Sequence, residues 1–247
     1  MLALQDEHEV RVMMTDKSAR TDAYKIGSLG AILAAIGILT SGPLSIPIVG
    51  FVQPQPLWES PELFVENFHR IQTLPFYFGY LLLVGSIMML VAVCLLSEKR
   101  AGALAGLIFM SIGAAFAFFN YVVQTTFIPA IVNDYSSELN PIISIFSMSN
   151  PIALTWAIEM WAYGFMGFGT WLASGFFGES PLERIARNLF IVNGVVSVLG
   201  ALAITIDLSG VFSMAGLIGY GAWNVLFLVL AIVFYRVLKK RRIGEEI

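Results

Sequence analysis

One carboxyl in this chain is placed where chemistry is expensive to install. Glu159 lies inside a long apolar stretch, and Thr155, Trp156 and Tyr163 fall at i−4, i−3 and i+4 from it, on one face of a helix. A carboxylate near a bilayer centre costs about 2.5–3.5 kcal/mol on insertion scales, so such a group faces a bundle interior or water. Two kinds of work fit it. It serves as counter-charge for a proton or a weakly basic ligand, or it hydrogen-bonds across helices and holds a bundle together. A second apolar stretch carries Asn120 and Gln124 at i and i+4, and a third carries Tyr77 and Tyr80. The spans expected below bring these groups to similar depth, which predicts one polar pocket. Arg70, with His69 beside it, stands just before the stretch that holds the tyrosines. It either leans into the pocket mouth toward Glu159 or an anionic ligand, or it snorkels and pairs with Glu66 at i−4. Asn193 and Asn224 lie toward the other half of their stretches and read as interhelix glue.

Other chemistries lack their residues. The two histidines, His8 and His69, lie outside every apolar run, which excludes bis-histidine haem ligation within the membrane. Cys94 is the one cysteine, so an intrachain disulfide, a zinc knuckle and an iron–sulfur cluster are excluded. Cys94 reads as a small apolar filler. The chain has no GxGxxG after a strand, no P-loop, no HExxH and no GxSxG. With no second intramembrane carboxylate and no histidine beside Glu159, catalysis is not expected, and a lipid-modifying enzyme is the weakest of the readings. No cofactor and no metal are expected.

The elements that must position these groups follow from composition. The 247 residues are 57% hydrophobic and 13% charged, with a mean hydropathy of +0.80. That charged fraction is half of the ~25% usual in soluble domains, and no soluble fold of this size hides so much apolar surface. The expected fold is all-α, a polytopic membrane bundle of six transmembrane helices over about residues 24–40, 73–96, 101–127, 151–176, 182–206 and 211–238. Residues 1–23 read as a polar N-terminal segment and not as a cleavable signal, and 239–247 as a tail. Ser41-Gly42-Pro43 is expected to end the first span and Pro129 to stop the third. Asn150-Pro151 is read as the cap and first position of the fourth, and Ser180 with Glu183 as a capping box on the fifth. Ser60–Gln72 carries Phe64, Phe68 and Ile71 on one face. It reads as a short amphipathic helix at the membrane interface in the first outer loop, or as an extension of the second span.

Basic residues set an orientation. With the N-terminus inside, thirteen Lys and Arg fall on the inner side and Arg70 alone on the outer. Both termini are therefore expected in the cytoplasm of a cell with an inner membrane, and the tail at Lys239–Arg242 reads as a stop signal with affinity for anionic headgroups. No basic run is interleaved with exposed aromatics, so nucleic acid is not an expected partner. Gly102 and Gly106 form a GxxxG, read as a packing contact.

Glu159 followed by Tyr163-Gly164-Phe165-Met166-Gly167, then Ser180-Pro181-Leu182-Glu183-Arg184 and Phe190-Ile191-Val192-Asn193-Gly194, resembles uncharacterised multi-span membrane proteins of bacteria and archaea, of the domain-of-unknown-function type. The resemblance spans about residues 150–240. It implies a helical bundle in a prokaryotic inner membrane and carries over no activity, ligand or catalytic residue.

These observations lead to two main functional expectations. In the first, the protein binds or transports a small apolar or weakly basic (cationic) ligand, or a proton, in an outer-half cavity made by Glu159, Tyr163, Trp156, Asn120, Gln124, Tyr80 and Arg70. In the second, it is a structural or accessory subunit, packed against the bilayer and a partner subunit or a second copy of itself, with no ligand.

Overall fold

The computed structural model describes the backbone of residues 2–98 and 100–246 and the side chains of residues 17–98 and 101–244. The described chain is all-α. Helix α1 (Leu2–Leu39) passes through a π-turn (Thr40–Leu44) into α2 (Ser45–Val52). A short helix α3 (Pro61–Asn67) precedes α4 (Leu74–Leu96). Helix α5 (Arg100–Val122) passes through a second π-turn (Val123–Phe127) into α6 (Ile128–Asn133), and α7 (Asn140–Phe146) follows. The chain closes with α8 (Leu154–Ala173), α9 (Pro181–Ile204) and α10 (Met214–Glu246).

Among the described residues, five helices, not six, are long and apolar enough to cross a membrane: residues 17–52, 70–96, 101–133, 181–204 and 214–244. The expected fourth span is the one that falls away. Its helix, α8, has 20 residues, so it fails on hydropathy and not on length. It carries Glu159, two threonines and three tryptophans, and glycine at 164, 167 and 169. Nine of its residues are buried, and Leu154, Trp161 and Trp171 are the only exposed ones. A helix clothed by its neighbours needs no apolar surface of its own, and its polar groups and glycines are spent on those neighbours. The outer helices show the opposite pattern. On α1, Leu29, Ile32 and Ile36 form an exposed apolar stripe, as lipid-facing helices require.

The helices pack antiparallel and closely. A Cβ on Gly37 of α1 would stand 2.3 Å from the Leu82 backbone nitrogen of α4. The Gly102–Gly106 pair lies against α8 of the same chain, where Gly106 and Gly169 face each other's carbonyls. Helices α8 and α9 meet at Gly167 and Gly194, and Gly27 of α1 meets Leu238 of α10. The start of α1 and the end of α10 therefore share one end of the bundle. That terminal end carries Lys17, Arg20, Lys25, Arg184, Arg187 and the 236–242 cluster. Lys99, expected there too, lies outside the described residues, as do the side chains of His8, Arg11 and Arg100.

Two expected helix stops are not stops. Pro43 sits inside the first π-turn and Pro129 follows the second, and the helix continues past both. Proline removes an N–H and crowds the preceding turn, and a π-turn widens the ladder enough to absorb that defect. Two caps also differ. Asn150 accepts from the Ile152 N–H in a turn, and α8 begins three residues later than Pro151. Ser180 does cap α9 by accepting from the Glu183 N–H, but the Glu183 carboxylate turns away. It accepts from the Gly178 N–H at 3.1 Å and from Arg241 Nε at 2.7 Å. Arg241 also donates to the Phe176 carbonyl and lies 4.2 Å above the Phe176 ring, which clasps the terminal end shut.

The opposite end is roofed by the long loops. Ser60 caps α3 by accepting from the Leu63 N–H. The helix in the amphipathic segment ends at Asn67, Ile71 falls in the membrane-crossing stretch that begins at Arg70, and Phe64 is turned into protein. Phe64 is buried in a second small core with Val123, Ile128 and Ile143, flanked by Trp58 and Phe68. Asn140 of α7 donates to the Glu62 carboxylate and ties the roof together.

Candidate functional site

The site lies under this roof, between α5 and α8. Glu159 is the sixth residue of α8, about 8 Å from the helix start at 1.5 Å per residue. That is shallower than a start at Pro151 predicts. It is only 4% exposed. Asn120 of α5 donates its amide to Glu159 Oε2 at 2.7 Å, to the Thr155 carbonyl at 3.2 Å and to Met148 Sδ at 3.3 Å. One amide thus ties α5 to two points of α8 and to the loop above. The Tyr121 and Tyr163 hydroxyls bond each other at 2.7 Å, and both bear on the same carboxyl. Among the described residues, no Lys, Arg or His bears on it.

Not every polar atom is satisfied. Asn120 Oδ1 and Thr155 Oγ1 are buried and have no hydrogen-bond partner among the described residues. Both residues are 0% exposed. Asn120 spends its donors on three acceptors, so its carbonyl oxygen is left facing its surroundings without a donor. A buried acceptor left unmet costs about 1–3 kcal/mol. The cluster therefore presents a carboxyl and two unmatched oxygens, a set that a proton or a small N–H-bearing cation would complement.

The 146–148 segment covers this cluster. Gln124 donates to the Phe146 carbonyl at 2.7 Å and accepts from the Met148 N–H at 3.2 Å. Trp156 Nε1 donates to the Met148 carbonyl at 2.8 Å, and its ring meets Phe212 edge-on at 5.2 Å. Gln124 and Trp156, expected to line the pocket, are instead committed to holding its cover. Tyr163 also packs on Trp223 of α10 at 4.8 Å.

Two expected site residues lie elsewhere. Tyr80 bonds Thr125 at 3.1 Å and packs its ring on Tyr121, one layer removed from the carboxyl. Arg70 and Tyr77 line a separate cavity at the margin of the roof. Arg70 does not pair with Glu66 among the described residues. Asn193 bonds Thr170 at 3.0 Å and Asn224 bonds the Tyr220 carbonyl at 2.8 Å, away from Glu159. Tyr121 and Met148 were missed by the sequence reading. Tyr121 had a signal, since it follows Asn120 directly. Met148 had none, because only the folded loop brings it over the carboxyl.

No family model, no curated protein and no solved structure matches the chain.

Proposed function

We propose that this multi-pass membrane protein binds or translocates a proton or a small, weakly basic ligand at the Glu159 cluster. The observation that carries the reading is the pair of unpartnered buried oxygens, Asn120 Oδ1 and Thr155 Oγ1, beside a carboxyl without a cationic partner. An amide in place of Glu159 would hold α5 to α8 at less cost, so a carboxyl argues for exchange of charge. Helix α8, too polar to count as a span, still runs antiparallel between α5 and α9, so α1 and α10 reach the same end. The basic residues there support a cytoplasmic side for both termini and an outer half for the cluster.

The test uses full-length protein and Glu159→Gln in detergent, with benzylamine as probe and thermal unfolding as readout. An infrared pH titration follows the carboxyl stretch in parallel. The wild type should show a titrating buried carboxyl and stabilisation by benzylamine, and Glu159→Gln should lose both. Neither signal in the wild type, or equal stabilisation of both proteins, refutes the reading.

A second reading has its own observation. The Asn120 amide, whose two N–H bonds are shared among Glu159, Thr155 and Met148, makes the cluster an interhelix tie, as a structural or accessory subunit would need. Glu159→Gln would then alter stability alone.

A further inference from the structure

A cavity of about 330 Å³ opens at the margin of the roof. It is separate from the Glu159 cluster. One wall is the start of α4, with Arg70, Thr73 and Tyr77, and the other is the second π-turn with α6, including Thr126, Pro129 and Asn133. The cavity owes its shape to Pro129, since a straight α-helix through 123–127 would present a different face to α4.

The lining has a marked charge. Arg70 is the one Lys or Arg between Lys25 and Lys99, with His69 beside it, and no Lys or Arg occurs between Arg100 and Arg184. It has no hydrogen bond from its guanidinium and no ion pair among the described residues, and it is exposed. The Tyr77 hydroxyl and the Asn133 amide are likewise uncommitted. No acid lines the cavity, although Asp134 follows Asn133 in the chain. Thr73 and Thr125 already donate to the Arg70 and Tyr121 carbonyls, so the guanidinium, the phenol, the Thr126 hydroxyl and the Asn133 amide are the lining donors without an acceptor among the described residues, a combination suited to a singly charged anion with several oxygens.

Two features make the anion part of a lipid. The membrane-crossing stretch that contains α4 begins at Arg70, which places the guanidinium at headgroup level. Below the cavity the surface is apolar and open. Tyr77 is 54% exposed, Val84 lies two turns further along the same face of α4, and Phe119 and Val122 of α5 are exposed as well. A free anion has no use for such a strip, whereas acyl chains do. We propose that this cavity seats the phosphodiester of a phospholipid, with Arg70 as its counter-charge and the Tyr77–Val84 face as the bed for a chain.

Short-chain phosphatidylglycerol is titrated against full-length protein in detergent, with binding read by native mass spectrometry. Inorganic phosphate is titrated in a parallel arm. Arg70→Gln should weaken lipid binding about tenfold, and Asn133→Leu, on the opposite wall, should weaken it as well. Both variants should melt within about 2 °C of the wild type, since both side chains are exposed. Inorganic phosphate should neither bind nor displace the lipid. Equal lipid binding by wild type and both variants overturns the proposal. Competition by inorganic phosphate at matching concentration also overturns it, in favour of a free-anion site.

Discussion

Gly113 of α5 couples packing to the Glu159 cluster. A Cβ built there would stand 2.5 Å from the Ala162 carbonyl oxygen and 2.8 Å from the Met166 nitrogen of α8. Backbone atoms cannot rotate aside as a side-chain tip does, so Gly113→Ala must push α8 off α5 by about 1 Å to restore ordinary contact. Asn120 lies two turns along α5 from Gly113, and Glu159 lies one turn before Ala162 on α8. The same displacement stretches the 2.7 Å Asn120–Glu159 bond to the limit at which a hydrogen bond is lost. Overpacking costs about 1–3 kcal/mol and the interhelix hydrogen bond about 0.6–1.7 kcal/mol. The expected loss is about 2–5 kcal/mol, which lowers the melting temperature of a chain of this length by about 4–20 °C. Thermal unfolding of purified protein in detergent reads it directly. Gly50→Ala is the control, because Gly50 has no neighbour within 4 Å and lies in α2. It should be neutral or gain up to about 1 kcal/mol from helix propensity. Adding Asn120→Ala to Gly113→Ala should cost less than the two changes separately, since one hydrogen bond is lost only once. If Gly113→Ala melts with Gly50→Ala, the close α5–α8 approach is not what positions the site.

The terminal clasp predicts that Arg241→Ala lowers stability by about 1–3 kcal/mol, because the Glu183 carboxylate is three-quarters or more buried and loses its charged partner. Hydrogen exchange should quicken in residues 174–180, and an unchanged exchange profile would count against the clasp. Glu62 gives the pH dependence of the roof. Its own backbone N–H and the Ser60 hydroxyl hold its carboxyl below the ordinary value of 4.5, with a smaller contribution from Asn140. A lowered folded-state value stabilises above the unfolded value and is lost as pH falls through the folded one. Emission from Trp58, 5.8 Å from the Phe64 ring, should therefore stay constant from neutral pH to 4.5 in a single-tryptophan variant and shift only below it. Ser60→Ala should move that midpoint upward, and a midpoint unmoved by Ser60→Ala would refute the assignment.

Much of the bundle was legible because lipid imposes a plain rule. The five outer helices are apolar on the face they show, and hydropathy finds them. Helix α8 was overcounted because its length and flanking prolines resemble those of a span, while Glu159, Thr155, Thr170 and the glycines mark a helix sheltered by others. Pro43 and Pro129 read as stops because a sequence shows the missing N–H and not the π-turn that accommodates it. Helical spacing brought Thr155, Glu159 and Tyr163 onto one face, and matched depth brought in Asn120. Depth says nothing about direction around the bundle, however. That is why Arg70 and Tyr80 were drawn toward a carboxyl they do not reach. Gln124 and Trp156 hold the 146–148 backbone, a contact made by a loop whose path leaves no periodic trace. The roof core was hidden too, since Val123 and Ile128 look like span residues and instead pack under Phe64.

The two π-turns also make the chain count. Each accommodates one residue more than an α-turn would, so the helix beyond it is rotated by about 100° from where a regular ladder would carry it. Deleting a single residue from 40–44 or 123–127 would keep every backbone hydrogen bond available and still turn α2 or α6 away from its partners. The roof is thus specified by residue number as well as by residue type. Gain or loss of one codon at these two places would re-aim an entire segment, where a conservative substitution would leave it in place.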